Sequence, residues 1–264
     1  MGKEKLEQTR GYAFFIGEIY GIDGKEPVKT EYKNVLKVRI KTSKTNSIFA
    51  VVGGWNNSTM NCKLKAQGMD TAEEVPMGEV ADMLQDYFHD GDSVLVRGTI
   101  DVNTYKEGRL DINVSGIYAT TEPVDFDVDN FEERNEITIP AIISDKFDGK
   151  ELAVKFVNYK GVDIDQKLRV EYEPIKKYLA EVNVGDLIPL TLSVRNVPIF
   201  EEVASDNGEK ARTTLMGKKI GGNNLKRKII GSDNYLLIID VDSEKALKGE
   251  YVINEGNKSD DLPF

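Results

Sequence analysis

Leu36-Lys37-Val38-Arg39-Ile40-Lys41 alternates apolar and polar residues without a break, and Ser47-Ile48-Phe49-Ala50-Val51-Val52-Gly53 follows after a short polar turn. A period of two marks a strand with one buried face, and an apolar β-branched run a few residues on reads as its hairpin partner. Leu36, Val38 and Ile40 fall on one side of the first run, and Lys37, Arg39 and Lys41 on the other. Residues 33–44 hold five cations (Lys33, Lys37, Arg39, Lys41, Lys44) and no acid, so the polar side is a basic row. Its side chains lie about 7 Å apart, twice the rise of a strand. Such a row can follow a phosphate backbone, although a solvated edge strand protected by lysines has the same composition.

The second run adds rings to this face. If Ile48, Ala50 and Val52 point inward, Phe49 points outward beside the cations; a slip of one residue reverses the faces and buries it. Trp55, after Gly53-Gly54, carries the same two alternatives.

Outward from this hairpin the chain reads as two segments of one grammar. In the first, Gly11–Ile22 is a strand rich in aromatic and β-branched residues, and the hairpin supplies two more. Val80, Met83, Leu84 and Tyr87 recur at helical spacing, with Gly91 as a stop. Ser93–Val102 and Arg109–Tyr118 complete the set around Gly108. In the second, Glu136–Ser144, Glu151–Tyr159 and Lys167–Tyr172 are strands, and Pro174 opens a helix through Ile175, Tyr178 and Leu179. Leu187–Val197 and Tyr235–Val241 close the segment. Five strands with one helix between the third and fourth is the layout of an OB-fold, a small Greek-key barrel that binds oligonucleotides. The expected fold is therefore all-β: two tandem five-stranded OB barrels, each with a short helix. The expected boundaries are 1–121 for the first barrel, 122–135 for an acidic linker, 136–247 for the second barrel and 248–264 for a tail.

Charge is unevenly spread. The chain carries a formal net charge of −10, but residues 121–136 alone hold seven acids and one Arg, so most of the excess sits in the linker. The flanking segments are near neutral and can carry local basic faces, and binding answers to the local field. Asp125, Asp127, Asp129 and Glu136 have calcium-loop spacing, but Asn130 stands where that loop needs glycine. The run reads as an acidic linker, which can compete with DNA for a basic face.

The second segment echoes the first. With Leu152, Val154 and Phe156 inward, Lys155 and Tyr159 face out; with Leu168, Val170 and Tyr172 inward, Lys167 and Arg169 face out. Residues 217–228 hold Lys218, Lys219, Lys226, Arg227 and Lys228 among glycines and no acid, in the expected loop between the fourth and fifth strands, a regular OB ligand contact.

Catalytic alternatives find little support. One cysteine, Cys62, excludes an internal disulfide, and with a single histidine, His89, a His/Cys zinc site is not expected. Arg212–Lys219 lacks the first glycine and the Ser/Thr of a phosphate loop. No enzyme activity, metal or cofactor is expected. Without an apolar run of membrane-spanning length or a signal-peptide core at Met1–Arg10, a cytoplasmic protein is expected.

Val96-Arg97-Gly98-Thr99-Ile100, Tyr105 and Gly108-Arg109 resemble the fourth strand, hairpin and fifth strand of bacterial-type single-stranded DNA-binding proteins. Asp260-Asp261-Leu262-Pro263-Phe264 resembles the acidic C-terminal tip through which that family recruits replication and repair enzymes. The resemblance implies that Tyr105, Lys106 and Arg109 reach the DNA, that binding is independent of sequence, and that the setting is replication, recombination and repair. It implies partners such as a helicase, polymerase or recombinase at Asp260–Phe264. The family has one barrel, a long Gly/Pro/Gln-rich tail and a homotetrameric assembly. Two barrels and a short tail are expected to work as a monomer or dimer, as in some bacteriophage-encoded versions. Tandem barrels that bind only proteins, or RNA, are the alternatives.

Overall fold

The computed structural model describes residues 8–102, 110–158, 160–203, 212–213, 219–220 and 226–248, with backbone alone over 197–203, 212–213, 219–220 and 226–232. The first half contains β1 (Gly11–Tyr20), β2 (Val28–Lys29), β3 (Lys33–Lys41), β4 (Ser47–Trp55), β5 (Asn61–Lys65), β6 (Glu73–Pro76), α1 (Val80–Tyr87), β7 (Ser93–Val102) and β8 (Leu110–Ala119). β1 pairs with β3, β3 with β4, β4 in parallel with β8, β8 with β7, and β7 returns to β1. That circuit is a closed five-stranded barrel in OB order, with α1 between its third and fourth strands.

The second half contains β9 (Asn135–Ile143), β10 (Glu151–Val157), β11 (Asp163–Val170), α2 (Glu173–Leu179), β12 (Leu187–Val203), β13 (Arg212–Thr213), β14 (Lys219–Ile220) and β15 (Lys226–Val241). β9 pairs with β10, β10 with β11, β11 in parallel with β15, β15 with β12, and β12 with β9. The same circuit closes a second time. Alternation explains why: Leu36, Val38 and Ile40 of β3 and Leu152, Val154 and Phe156 of β10 are all buried, as their spacing requires.

The barrels meet first strand to first strand. The C-terminal end of β1 (Glu18–Tyr20) is taken by β3, while its N-terminal half pairs antiparallel with β9, Tyr12 opposite Thr138 and Phe15 opposite Asn135. An edge that barrel closure leaves open is thereby covered. Buried apolar residues of both barrels form one contiguous cluster, from Phe15 and Val38 to Ile137 and Leu190. Thr9 adds two backbone contacts to the end of β10, donating to the Val157 carbonyl and accepting its N–H at its hydroxyl, both at 2.8 Å.

Glu133, at the end of the acidic connection, ties the junction. Its carboxylate accepts from the Thr42 hydroxyl and from Asn46 Nδ2 at 2.7 Å in the first barrel, and from Arg195 at 2.6 Å in the second. Asn46 and Asn135 both also donate to the Val194 carbonyl, at 2.8 and 2.6 Å.

Several expectations need correction. β5 and β6 were not foreseen; β5 runs parallel to β8 beyond the point where β4 leaves it. β11 begins at Asp163, four residues before the expected Lys167, because pairing with β10 holds Asp163–Gln166 extended. Tyr172 is 63% exposed, not inward: β11 ends at Val170, and Tyr172 is the N-cap of α2. β12 and β15 continue past the barrel to Val203 and from Lys226, so Lys226, Arg227 and Lys228 lie in a paired strand, opposite Val203, Glu202 and Glu201, and not in a loop.

Gly17 lets β3 cross β1, for a Cβ there would stand 2.0 Å from the Lys41 carbonyl oxygen. Gly17→Ala is expected to destabilise the protein by about 1–3 kcal/mol, as overpacking does, read as a lower urea midpoint at unchanged m-value. Cys62 is fully buried, and burial pushes its thiol up to about 12. The native protein should leave this thiol unreacted with a disulfide reagent at pH 8, and denaturant should release one equivalent.

Candidate nucleic-acid interface

The β3–β4 register sets Lys33 opposite Trp55, Lys37 opposite Val51, Arg39 opposite Phe49, and Lys41 opposite Ser47. Lys33, Lys37 and Arg39 are exposed, and Lys41 is half-buried. Phe49 is 50% and Trp55 60% exposed, which settles both open orientations: each ring faces out beside the basic row. On the other side of β3, Tyr20 of β1 is the register partner of Arg39. The Arg39 guanidinium lies 5.0 Å from the Tyr20 ring centroid, and the Lys37 ammonium 4.6 Å from that of Phe49. Tyr20, Arg39 and Phe49 thus form a band across three neighbouring strands. A cation held over a ring keeps its charge available while the ring presents its other surface to a ligand.

The row is not uniform. Lys41 Nζ lies 3.2 Å from Glu18 Oε2, the same oxygen that accepts from the Tyr20 hydroxyl at 2.7 Å. That hydrogen bond raises the Tyr20 phenol above its ordinary value. Lys41 also sits 4.5 Å from the Phe126 ring centroid, and Lys44 is ion-paired with Asp127, both partners coming from the acidic connection. The least compensated part of the face is therefore Lys33, Lys37 and Arg39.

Two depressions meet at Lys37 and Phe49. One, of about 460 Å³, runs past Arg39 towards Tyr20. The other, of about 500 Å³, runs between the barrels, where Lys37, Phe49 and Val51 face Arg195, Asn196 and Tyr235. A trough therefore continues from the outer face of β3 to that of β12 and β15.

In the second barrel the predicted cations meet acids. Arg169 forms a double contact with Asp233, at 2.9 and 3.3 Å, and lies 3.9 Å from the Tyr235 ring centroid. The hydrogen bond to Asp233 raises the Arg169 pKa above its ordinary value. Lys155 is largely covered, 4.0 Å from Asp163. Lys167 is exposed on β11. Tyr105, Lys106, Arg109, Tyr159, Lys218 and the tip Asp260–Phe264 lie outside the described residues. Lys219, Lys226, Arg227 and Lys228 are placed by backbone alone.

Tyr20, Tyr32, Arg195 and Tyr235 were not singled out from the sequence. Tyr20 was accessible to it, since Ala13, Phe15 and Ile19 fix the inward parity of β1 and leave Tyr20 outside. Tyr32, 62% exposed next to Lys33, follows from the same hairpin. Arg195 and Tyr235 reach the trough through the packing of one barrel on the other, which no local pattern encodes.

His89, the sole histidine, is exposed beyond α1 with Nδ1 3.0 Å from Asp23, whose hydrogen bond raises the imidazole above its ordinary value. Among the described residues no group of three or more His, Cys, Asp or Glu is placed to hold a metal ion, and no helix is long and apolar enough to cross a membrane.

Fold and site together define a tandem OB-fold chain with an exposed basic and aromatic face on its first barrel. No family model matches the chain, and no curated protein matches it in sequence. Among solved structures it is similar to a single-stranded DNA-binding protein from Thermus aquaticus, crystallised as a deletion mutant. The two share 9% identity and a TM-score of 0.45 over 89% of this chain and 95% of that one. A likeness of that size carries no argument about function; the strand circuits establish the fold.

Proposed function

We propose that the protein binds single-stranded DNA without reading its sequence, with the first barrel as the principal site. The observation that carries this reading is the Tyr20–Arg39–Phe49 band, flanked by Lys33, Lys37 and Trp55 on one exposed face. Cations there neutralise phosphates and release counterions, and the rings stack on bases at about 1–3 kcal/mol each, whatever the base. The trough between the barrels continues the path towards Arg195 and Tyr235. Duplex DNA is disfavoured because stacked, paired bases cannot lie on these rings. One chain supplies two barrels, so a monomer or dimer suffices. The role is protection and presentation of single strands in replication, recombination and repair, with Asp260–Phe264 recruiting partner enzymes: Phe264 suits an apolar pocket, and the carboxylates suit Arg or Lys around it.

Binding to labelled oligo-dT, followed by fluorescence polarisation, should weaken steeply with salt, by about 0.7 in log–log slope per phosphate neutralised. Lys37→Ala with Arg39→Ala should lower that slope by about 1–2 and leave the unfolding midpoint nearly unchanged. Phe49→Ala should cost about 1–3 kcal/mol at every salt concentration, because stacking is not screened. A flat salt response, or preference for duplex or RNA over single-stranded DNA, would overturn the reading. Removing residues 262–264 should spare oligo-dT affinity and abolish co-precipitation of helicase, polymerase or recombinase from a bacterial extract; retained co-precipitation would show that the tip is not the docking element.

A further inference from the structure

The connection between the barrels touches the basic row at its far end. Phe126 lays its ring 4.5 Å from the Lys41 ammonium, and the next residue, Asp127, ion-pairs with Lys44. A second ring props the first: Phe131 meets Phe126 edge to face, with centroids 5.3 Å apart and planes at 77°. The two ends of this strap are anchored. Val124 N–H donates to Ser93 Oγ at 2.9 Å, and the Arg134 carbonyl accepts from Ile16 N–H at 3.0 Å beside the buried junction of Glu133. Between the anchors the strap is open to solvent: Asp125 and Val128–Asn130 are exposed, and Asp127 and Lys44 keep 82% and 58% of their side-chain surface in solvent.

An aromatic plane over one cation and an anion on the next reproduce the two groups a nucleotide unit offers, a base and a phosphate. We infer that Lys41 and Lys44 form a nucleotide subsite of the basic face, which the Phe126–Asp127 strap fills in the free protein and must vacate when a strand extends along it. The inference rests on the single-strand reading above and adds the subsite and its resident competitor. The occupant is chosen by charge: residues 121–136 hold seven acids against one Arg, and residues 33–44 hold five cations and no acid. An exposed ion pair and one cation–ring contact are weak enough to be displaced by a ligand with several phosphates. They also lie about 7 Å, one outward strand position, from Arg39, within a Debye length, so the competition fades as salt rises.

The test compares the full chain with its F126A/D127N variant, both substitutions lying on the exposed strap and outside the barrel cores. At low salt the variant should bind oligo-dT about three- to tenfold more tightly, and its log–log salt slope should be steeper by about 0.7, for the one phosphate that Lys44 is then free to meet. Hydrogen exchange supplies a second readout: the Asp127 and Phe131 amides, which now donate to Asp125 Oδ1 and the Val128 carbonyl, should exchange faster once oligo-dT is added. Equal or weaker binding by the variant, with the wild type binding normally, overturns the strap inference and leaves the functional reading standing. Slower exchange of those amides overturns it too, since the strap would then clamp the strand. Absence of binding by both proteins removes the functional reading itself.

Discussion

The trough between the barrels depends on the antiparallel seam between β1 and β9. Each barrel closes by itself, yet closure leaves one edge of the N-terminal half of β1 unpaired, and β9 fills that edge with backbone hydrogen bonds. Glu133 then fixes the seam from the side. A largely buried carboxylate is costly unless several donors converge on it, and Thr42, Asn46 and Arg195 do so from both barrels. Because those donors belong to different halves of the chain, their geometry defines how one barrel faces the other. The trough between Phe49 and Tyr235 exists only as a product of that arrangement.

The two barrels share a topology and differ in electrostatics. On the first, Lys33, Lys37 and Arg39 stand beside rings with their charge largely uncompensated. On the second, Arg169 is forked onto Asp233 and Lys155 lies against Asp163, so the same strand positions add little positive field. An OB barrel needs its inward alternation to fold, and the outward residues are free to vary. The second barrel illustrates this: it keeps Leu152, Val154 and Phe156 inside while its outer surface is locally neutralised.

Alternation makes much of the molecule legible in the sequence. The inward sets of β3 and β10, the two helices and the repeated order of elements all follow from local spacing, and local spacing is conserved when strands pair. Phe49 and Trp55 could not be oriented from sequence, because a one-residue slip inverts a strand; the buried Ile48, Ala50 and Val52 fix the slip. The acids that temper the basic row were invisible for a different reason. Glu18 lies 23 residues from Lys41, and Asp233 lies 64 residues from Arg169, so only folding brings them together. The extent of β15 was hidden by Gly231-Ser232-Asp233-Asn234, which has turn composition and is nevertheless paired throughout with β12. There tertiary pairing overrides local preference.

The strap joins the barrels covalently, but the seam joins them physically. A single proteolytic cut between Asp125 and Glu132 would leave β1 paired with β9 and Glu133 in its place. Both halves would stay assembled as a nicked pair, while the acidic segment became two loose ends. Cleavage at that one loop would thus convert a tethered guard into an open surface without dismantling the protein.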